Sequence, residues 1–339
     1  MINDDLGPGA LPASQMERLL YEVKKVVVGQ DHFLERVMVA LLAGGHLLVE
    51  GVPGLAKTLT VNTLARTMQG AFRRIQFTPD LVPADLVGTR IYNQKLGEFS
   101  TSLGPVFANL LLADEINRAP AKVQSALLEV MQERQVTIAG QTYPVPAPFV
   151  VIATQNPIET EGTYPLPEAQ IDRFMMKVLV GYPSEDEEFV VVERVTGPAA
   201  TVAAVATAEE ILAAQRAARA LYIDPALIRY AVKLVAATRN PERVGLKELS
   251  TMVQFGASPR ATINLIEGGR ALAYLRGRDY VLPEDVTDVA LDVLRHRIVL
   301  SYEAMAENLN TDDVVMRILK RIPAPSKVLD SHGRISANA

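Results

Sequence analysis

His46-Leu47-Leu48-Val49-Glu50-Gly51-Val52-Pro53-Gly54-Leu55-Ala56-Lys57-Thr58 joins a strand-like apolar run to a helix-like stretch, Leu59 to Met68, through a short loop of small residues. That strand–loop–helix context is what a phosphate-binding loop requires. Small residues let backbone N–H groups turn inward, and the helix N-terminus adds partial positive charge. Lys57 brings a full charge to the outer phosphates, and Thr58 is the natural Mg²⁺ ligand. The segment Gly51, Val52, Pro53, Gly54, Leu55, Ala56, Lys57 and Thr58 is therefore the candidate cradle. It departs from the general pattern G-x-x-x-x-G-K-[ST] at Ala56, where Gly is usual. Alanine is accommodated there if its backbone is helical and the phosphate leaves room for a methyl group.

A nucleotide triphosphate site needs a second element. Leu110-Leu111-Leu112-Ala113-Asp114-Glu115 is an apolar strand that ends in two acids and delivers both to the carboxyl edge of a sheet, beside the loop. Asp114 would hold the Mg²⁺ shell and Glu115 would orient and polarise the attacking water. Val150-Val151-Ile152-Ala153-Thr154-Gln155-Asn156-Pro157 is another apolar strand ending at the same edge. The Asn156 amide can hydrogen-bond both water and γ-phosphate. Further on, Arg173 precedes a strand-like run from Met175, and Arg260 stands at a helix start.

Further short apolar strands are expected at Phe72 to Phe77, Asn109 to Ala113, Phe149 to Thr154 and Met175 to Val180, with helical patterns at Ser14 to Val27, Asp31 to Ala43 and Lys122 to Glu133. The alternation predicts an α/β fold, a parallel sheet flanked by helices. Two stretches interrupt it and read as hairpins, Arg90 to Phe99 and Val136 to Val145, giving inserts at about 90–104 and 136–147. From Ser184-Glu185-Asp186-Glu187, a capping box, strand signals fade; Thr207 to Glu210 is a second box and Asp224-Pro225 a third helix start. The expected division is a nucleotide-binding α/β core over 1–183, an all-helical lid domain over 184–326 and a disordered tail over 327–339.

Composition narrows the chemistry. The chain has 339 residues, 49% hydrophobic and 22% charged, typical of a globular protein long enough for two domains. It has no cysteine, which removes disulfides, thiolate zinc sites and cysteine nucleophiles, and its four scattered histidines lack ligand spacing. A net charge of −5 argues against a general nucleic-acid binder. No apolar run reaches 18 residues and no signal peptide is evident, so a cytoplasmic protein without direct membrane insertion is expected.

Taken in order, the blocks Gly51–Thr58, Asp114-Glu115-Ile116-Asn117-Arg118-Ala119, Ala153-Thr154-Gln155-Asn156-Pro157, Gln170-Ile171-Asp172-Arg173-Phe174 and Gly256-Ala257-Ser258-Pro259-Arg260 resemble the MoxR family of AAA+ ATPases over roughly residues 14 to 322. Ala56 is itself typical of that family's pattern. The resemblance implies a P-loop AAA+ core with a helical lid. It also implies that Asn156 is the sensor 1 residue, Arg173 an arginine finger, and Arg260 the sensor 2 arginine contacting γ-phosphate. Val28 and Gly29 fall where family members line the adenine pocket, and the two hairpins match the helix 2 insert and the pre-sensor 1 insert. The implied activity is Mg²⁺-dependent ATP hydrolysis by a homo-oligomeric ring, most often a hexamer. Such a ring remodels, assembles or activates client complexes in a chaperone-like way, with a von Willebrand factor A domain protein as a frequent partner. Alternatives are a magnesium chelatase-like or DNA-directed motor, and a nucleotide-gated scaffold with negligible turnover.

Overall fold

The computed structural model describes residues 13–52, 54–95, 97–157, 162–198 and 200–325. The tail expected from 327 onward lies outside the described residues. The chain divides into two compact units, one ending at Arg216 and the other beginning at Ala217.

In the first unit, helices α1 (Ala13–Lys24) and α2 (Asp31–Ala43) precede strand β1 (Leu47–Glu50) and helix α3 (Lys57–Thr67). There follow β2 (Phe72–Gln76), α4 (Pro83–Val87), a hairpin of β3 (Gly88–Asn93) and β4 (Glu98–Leu103), and β5 (Leu110–Asp114). Then come α5 (Ala121–Glu133), a second hairpin of β6 (Gln135–Ile138) and β7 (Gln141–Pro144), β8 (Val150–Gln155), α6 (Glu168–Ile171), β9 (Met176–Leu179), α7 (Glu185–Thr196) and α8 (Ala208–Ala220), which runs across the division.

Five of the strands form one sheet in the order β2-β5-β8-β1-β9, every neighbouring pair parallel. The composition of each strand follows from its place. β5, β8 and β1 are covered on both faces and buried along almost their whole length, which is why they read as unbroken apolar runs. β2 is an edge strand that exposes Arg73, Arg74 and Gln76. The two expected hairpins form antiparallel pairs, Arg90 opposite Thr101 and Val136 opposite Tyr143. Beneath the sheet, Leu48, Phe77, Leu111, Leu127, Phe149 and Phe174 share one core cluster. Burying each such side chain stabilises by about 1.5–3 kcal/mol.

His46 shows how tightly the sheet is packed. Its Nδ1 accepts the Val151 N–H at 2.9 Å, so Nε2 carries the proton and donates to the Met131 carbonyl at 3.1 Å. Burial, with the nearby Arg134 charge, pushes its pKa down to about 3, so the imidazole is held neutral.

The helix starts read from sequence are present. Ser184 and Glu187 exchange hydrogen bonds at 2.8 and 3.3 Å, Thr207 and Glu210 do the same, and Asp224 accepts the Ala226 N–H at 2.6 Å. The second unit contains α9 (Pro225–Arg239), β10 (Val253–Phe255), α10 (Pro259–Leu275), α11 (Pro283–Asp288), α12 (Ala290–Leu294), β11 (Val299–Leu300), α13 (Tyr302–Ala306) and α14 (Thr311–Arg321). It is helical, as expected, apart from the short antiparallel pair β10–β11. Three and two residues are too few for a strand period to show in sequence. Among the described residues no helix is long and apolar enough to cross a membrane.

Candidate functional site

Parallel topology brings the carboxyl ends of β1, β8 and β5 side by side, and the candidate residues lie on the segments that leave those ends. The result is a cavity of about 380 Å³ lined by Gly51, Gly54 to Leu59, Arg74, Gln76, Asp114, Glu115 and Thr154 to Asn156.

The loop after β1 is held against the sheet at Gly51, whose N–H donates to the Gln155 carbonyl at 3.3 Å. A Cβ at Gly51 would lie 2.5 Å from the Val180 carbonyl oxygen, so any side chain there would force β1 and β9 apart. Ala56 corrects a sequence-based expectation. Its backbone is left-handed (φ 55°, ψ 15°) and not right-handed helical, and its carbonyl accepts the Thr60 N–H at 2.9 Å. The chain must reverse its turn between loop and α3, which is why the general pattern favours Gly; the Cβ in this conformation costs about 1 kcal/mol. The N–H groups of the first turn of α3 have no carbonyl partners within the helix, which makes that end suited to anions.

Lys57 Nζ donates to the Gly51 carbonyl at 2.7 Å, closing the loop on itself. Burial pushes the Lys57 pKa down, opposed by the carboxylates of Asp114 and Glu115. Those two acids are held differently. Asp114 accepts the Thr154 hydroxyl at 2.5 Å and a two-pronged contact from Arg74, Nη2 at 2.7 Å and Nε at 3.1 Å. Glu115 is left-handed (φ 55°, ψ 52°), and its N–H donates to Thr154 Oγ1 at 2.9 Å. Its carboxylate accepts Gln76 Nε2 at 2.8 Å and pairs with Arg118 Nε at 3.2 Å. Thr154, buried at the end of β8, is thus, among the described residues, the one hydroxyl bonded to both acids. Asn156, buried, lines the same cavity two residues further on, just past the end of β8.

Sequence reasoning passed over Thr154, Arg74 and Gln76. Thr154 lay inside a block already singled out, two residues before Asn156. Arg74 and Gln76 alternate on an edge strand, so their period of two was available, but their pairing with β5 was not.

Val28, Gly29, Val52 and Arg173 are not among the residues that line the cavity. Val28 and Gly29 form the turn before α2, where Gly29 has φ +68° and Glu187 of α7 packs over it. Val52 is half-buried beside Gly51, and Pro53 lies outside the described residues. Arg173 follows α6 as part of a turn, its N–H bonded to the Gln170 carbonyl; it is partly exposed and is not a lining residue. In the second unit Arg260 is exposed in the first turn of α10, its N–H donating to the Ser258 cap at 3.2 Å.

The donor set fits a hard cation shared with a polyphosphate. Thr58 offers a hydroxyl and Asp114 a carboxylate, while no group of three or more His, Cys, Asp or Glu among the described residues is placed to hold a metal alone. Mg²⁺ is commonly held in this way, by one or two protein oxygens, water and phosphate.

Residues 46–176 match the model of the ATPase family associated with various cellular activities (AAA), and residues 247–318 match an AAA lid domain. The chain is 56% identical to Chaperone MoxR1 of Mycobacterium tuberculosis over 312 residues, 91% of this chain and 82% of that one. It is 33% identical to Protein MoxR of Methylorubrum extorquens, covering 92% of this chain and 95% of the relative. A solved protein of Cytophaga hutchinsonii, described as a candidate ATPase, superimposes with a TM-score of 0.88 at 50% identity, covering 93% of this chain and 96% of that one.

Proposed function

Because the chain belongs to the MoxR family of AAA ATPases, we propose that it binds ATP with Mg²⁺ in the cavity above β1, β8 and β5 and hydrolyses it to drive remodelling of a client protein complex. The observation that carries this reading is the convergence of Lys57, Thr58, Asp114, Glu115 and Asn156 on one cavity from three separate strand ends.

In this reading the loop from Gly51 to Ala56 wraps the phosphates with backbone N–H groups and Lys57 neutralises their outer charge. Thr58 and Asp114 would hold the metal, which when bound would supply positive charge to offset that of the phosphates. Glu115 orients the attacking water and draws on its proton, while Asn156 hydrogen-bonds that water and the γ-phosphate. Val28 and Gly29 border the base. Arg173, partly exposed and outside its own cavity, acts on the site of a neighbouring copy, so turnover requires a homo-oligomeric ring, hexameric in the family's usual form. Arg260 keeps the sensor 2 role that the resemblance assigns it, and the helical region over 184–326 works as the lid.

The client is a protein, with a von Willebrand factor A domain protein as the expected partner. The β3–β4 hairpin exposes Ile91, Tyr92 and Phe99, with Arg90 stacked 4.7 Å from the Phe99 ring centre, a surface suited to apolar protein segments.

The test is steady-state ATPase rate against protein concentration with Mg²⁺, for wild type and Glu115→Gln, with mass followed by light scattering in ATP. The reading requires specific activity that rises with concentration, tracks assembly and vanishes in the variant. Tight ATP binding with a flat, negligible rate would refute it.

A further inference from the structure

Helix α7 carries five apolar residues and buries none of them fully. Its inner face is tied to the first unit: Glu187 packs over Gly29, Val190 and Val191 are half-buried, and Arg194 donates to the carbonyls of Lys24 and Lys25 at 2.6 and 2.8 Å. The opposite face presents Phe189, Val192 and Val195, which are 68%, 56% and 79% exposed. Glu185 and Glu188 lie one turn before Phe189 and Val192, so acids and apolar groups share this outer face. A contiguous exposed stripe of this kind marks an interaction surface.

A face of opposite charge exists on the second unit. Helix α9 buries Leu227, Tyr230, Ala231, Leu234 and Val235, and turns Ile228 and Val232 outward, 39% and 48% exposed. Arg229 and Lys233 follow each of these by one residue and are also exposed; the helix itself contains no acid. Among the described residues Glu185, Glu188, Arg229 and Lys233 take part in no ion pair or side-chain hydrogen bond.

We propose that the acidic, apolar outer face of α7 in one copy docks on the basic, apolar outer face of α9 in the next copy. The two faces differ, so the contact is heterologous: each copy offers one half on its first unit and the other on its second, and repetition closes a ring or runs on as a filament. Charge sets the order of the copies, and Phe189, Val192 and Val195 with Ile228 and Val232 supply the apolar area. The inference rests on the reading that this chain works as an oligomer, and it names the surfaces that assemble it. Since the inner face of α7 contacts Gly29, the docking of a neighbour bears directly on the turn proposed to border the base.

The experiment is a charge-reversal exchange, with assembly followed by light scattering and sedimentation in ATP and Mg²⁺. One protein carries Glu185→Lys with Glu188→Lys, and another carries Arg229→Glu with Lys233→Glu. Each alone juxtaposes like charges and should need at least about 100-fold more protein to assemble. Mixed in equal amounts, they should assemble near the wild-type concentration, because every contact in an alternating ring is then complementary. Phe189→Ser, which leaves the packed face of α7 untouched, should by itself raise the concentration required by about 10-fold. Wild-type assembly by either reversed protein alone, or by Phe189→Ser, would overturn the pairing while leaving the ring reading intact. Recovery in a single chain carrying all four reversals but not in the mixture would also overturn it, since that pattern means pairing within one chain. A wild-type protein that stays monomeric at every concentration would defeat the ring reading, and this one with it.

Discussion

Replacing Thr154 by valine keeps the shape of the side chain and removes the one hydroxyl that bridges the two acids. Two bonds go: the 2.5 Å donation to Asp114 and the 2.9 Å acceptance from the Glu115 N–H. Losing a hydrogen bond to a carboxylate costs about 1.5–3 kcal/mol, and an N–H left without a partner costs about 1–3 kcal/mol more. The second cost falls on a residue already under strain, because Glu115 is a non-glycine in the left-handed region (φ 55°), worth about 1–2 kcal/mol. Without Thr154 that strain is opposed by the carboxylate's contacts with Gln76 and Arg118 but no longer at the N–H, and the backbone shifts toward right-handed conformations that carry the carboxylate away from the cavity.

If relaxation gains about 1.5–3 kcal/mol, the population with Glu115 in place falls by about 10- to 100-fold, and turnover falls with it. Nucleotide affinity should change by less than about 3-fold when measured without Mg²⁺, a condition that keeps any change at Asp114 out of the comparison, since the loop, Lys57 and the α3 N-terminus are untouched. Thr154→Ser, which restores the hydroxyl, should stay within about 3-fold of wild-type turnover. The assay is steady-state ATPase beside a fluorescent-nucleotide titration, with circular dichroism to confirm folding. Wild-type turnover in the valine variant would refute the bridging role, and so would a loss of affinity as large as the loss of turnover.

Three other substitutions test separate parts of the argument. Arg173→Ala should retain ATP binding and lose about 10³- to 10⁵-fold in rate, and mixing it with Glu115→Gln should restore part of the activity; a mixture no more active than its components would count against action between copies. Ala56→Gly removes a left-handed Cβ and should leave the melting temperature unchanged or raise stability by up to about 1 kcal/mol, about 2–4 °C, so a clear drop would contradict the strain assigned to Ala56. For His46 the folded pKa of about 3 lies below the unfolded 6.5, so the unfolded state takes up the proton first. Its contribution is complete above pH 6.5 and shrinks as pH falls toward 3, amounting to a loss of about 2 kcal/mol at pH 5; denaturant titrations in which His46→Gln shows the same pH slope as wild type would exclude it as the source.

The fold was legible because its determinants are local. β5 and β8 announce themselves as apolar runs since both faces of a central parallel strand are covered, and Ser184, Thr207 and Asp224 mark helix starts through bonds that span two or three residues. The loop, Asp114, Glu115 and Asn156 were legible for a related reason: each terminates such a run, and a parallel sheet places all its carboxyl ends along one edge. What escaped was anything that depends on which strands are neighbours. Arg74 meets Asp114 only because β2 pairs with β5, in a register that sets Gln76 opposite Asp114. Thr154 reaches both acids only because β8 lies between β5 and β1. Strand order is a long-range property, and a period of two along one strand does not contain it.

The same limit explains the backbone at Ala56 and Glu115. Both are non-glycine residues in the left-handed region that line the cavity, Ala56 where the loop gives way to α3 and Glu115 where β5 gives way to a turn. Local propensity argues against each conformation by about 1 kcal/mol or more, so each persists only because the surroundings over-determine it. At Ala56 the Thr60 N–H and hydroxyl both hold the carbonyl, at 2.9 Å each. At Glu115 the Thr154 hydroxyl holds the N–H while Gln76 and Arg118 hold the carboxylate. One strained turn fixes the N-terminus of α3, where the phosphates are proposed to bind, and the other fixes the carboxylate proposed to address water. Relaxing either would stabilise a few residues locally and separate two groups whose function depends on their facing each other across a single cavity.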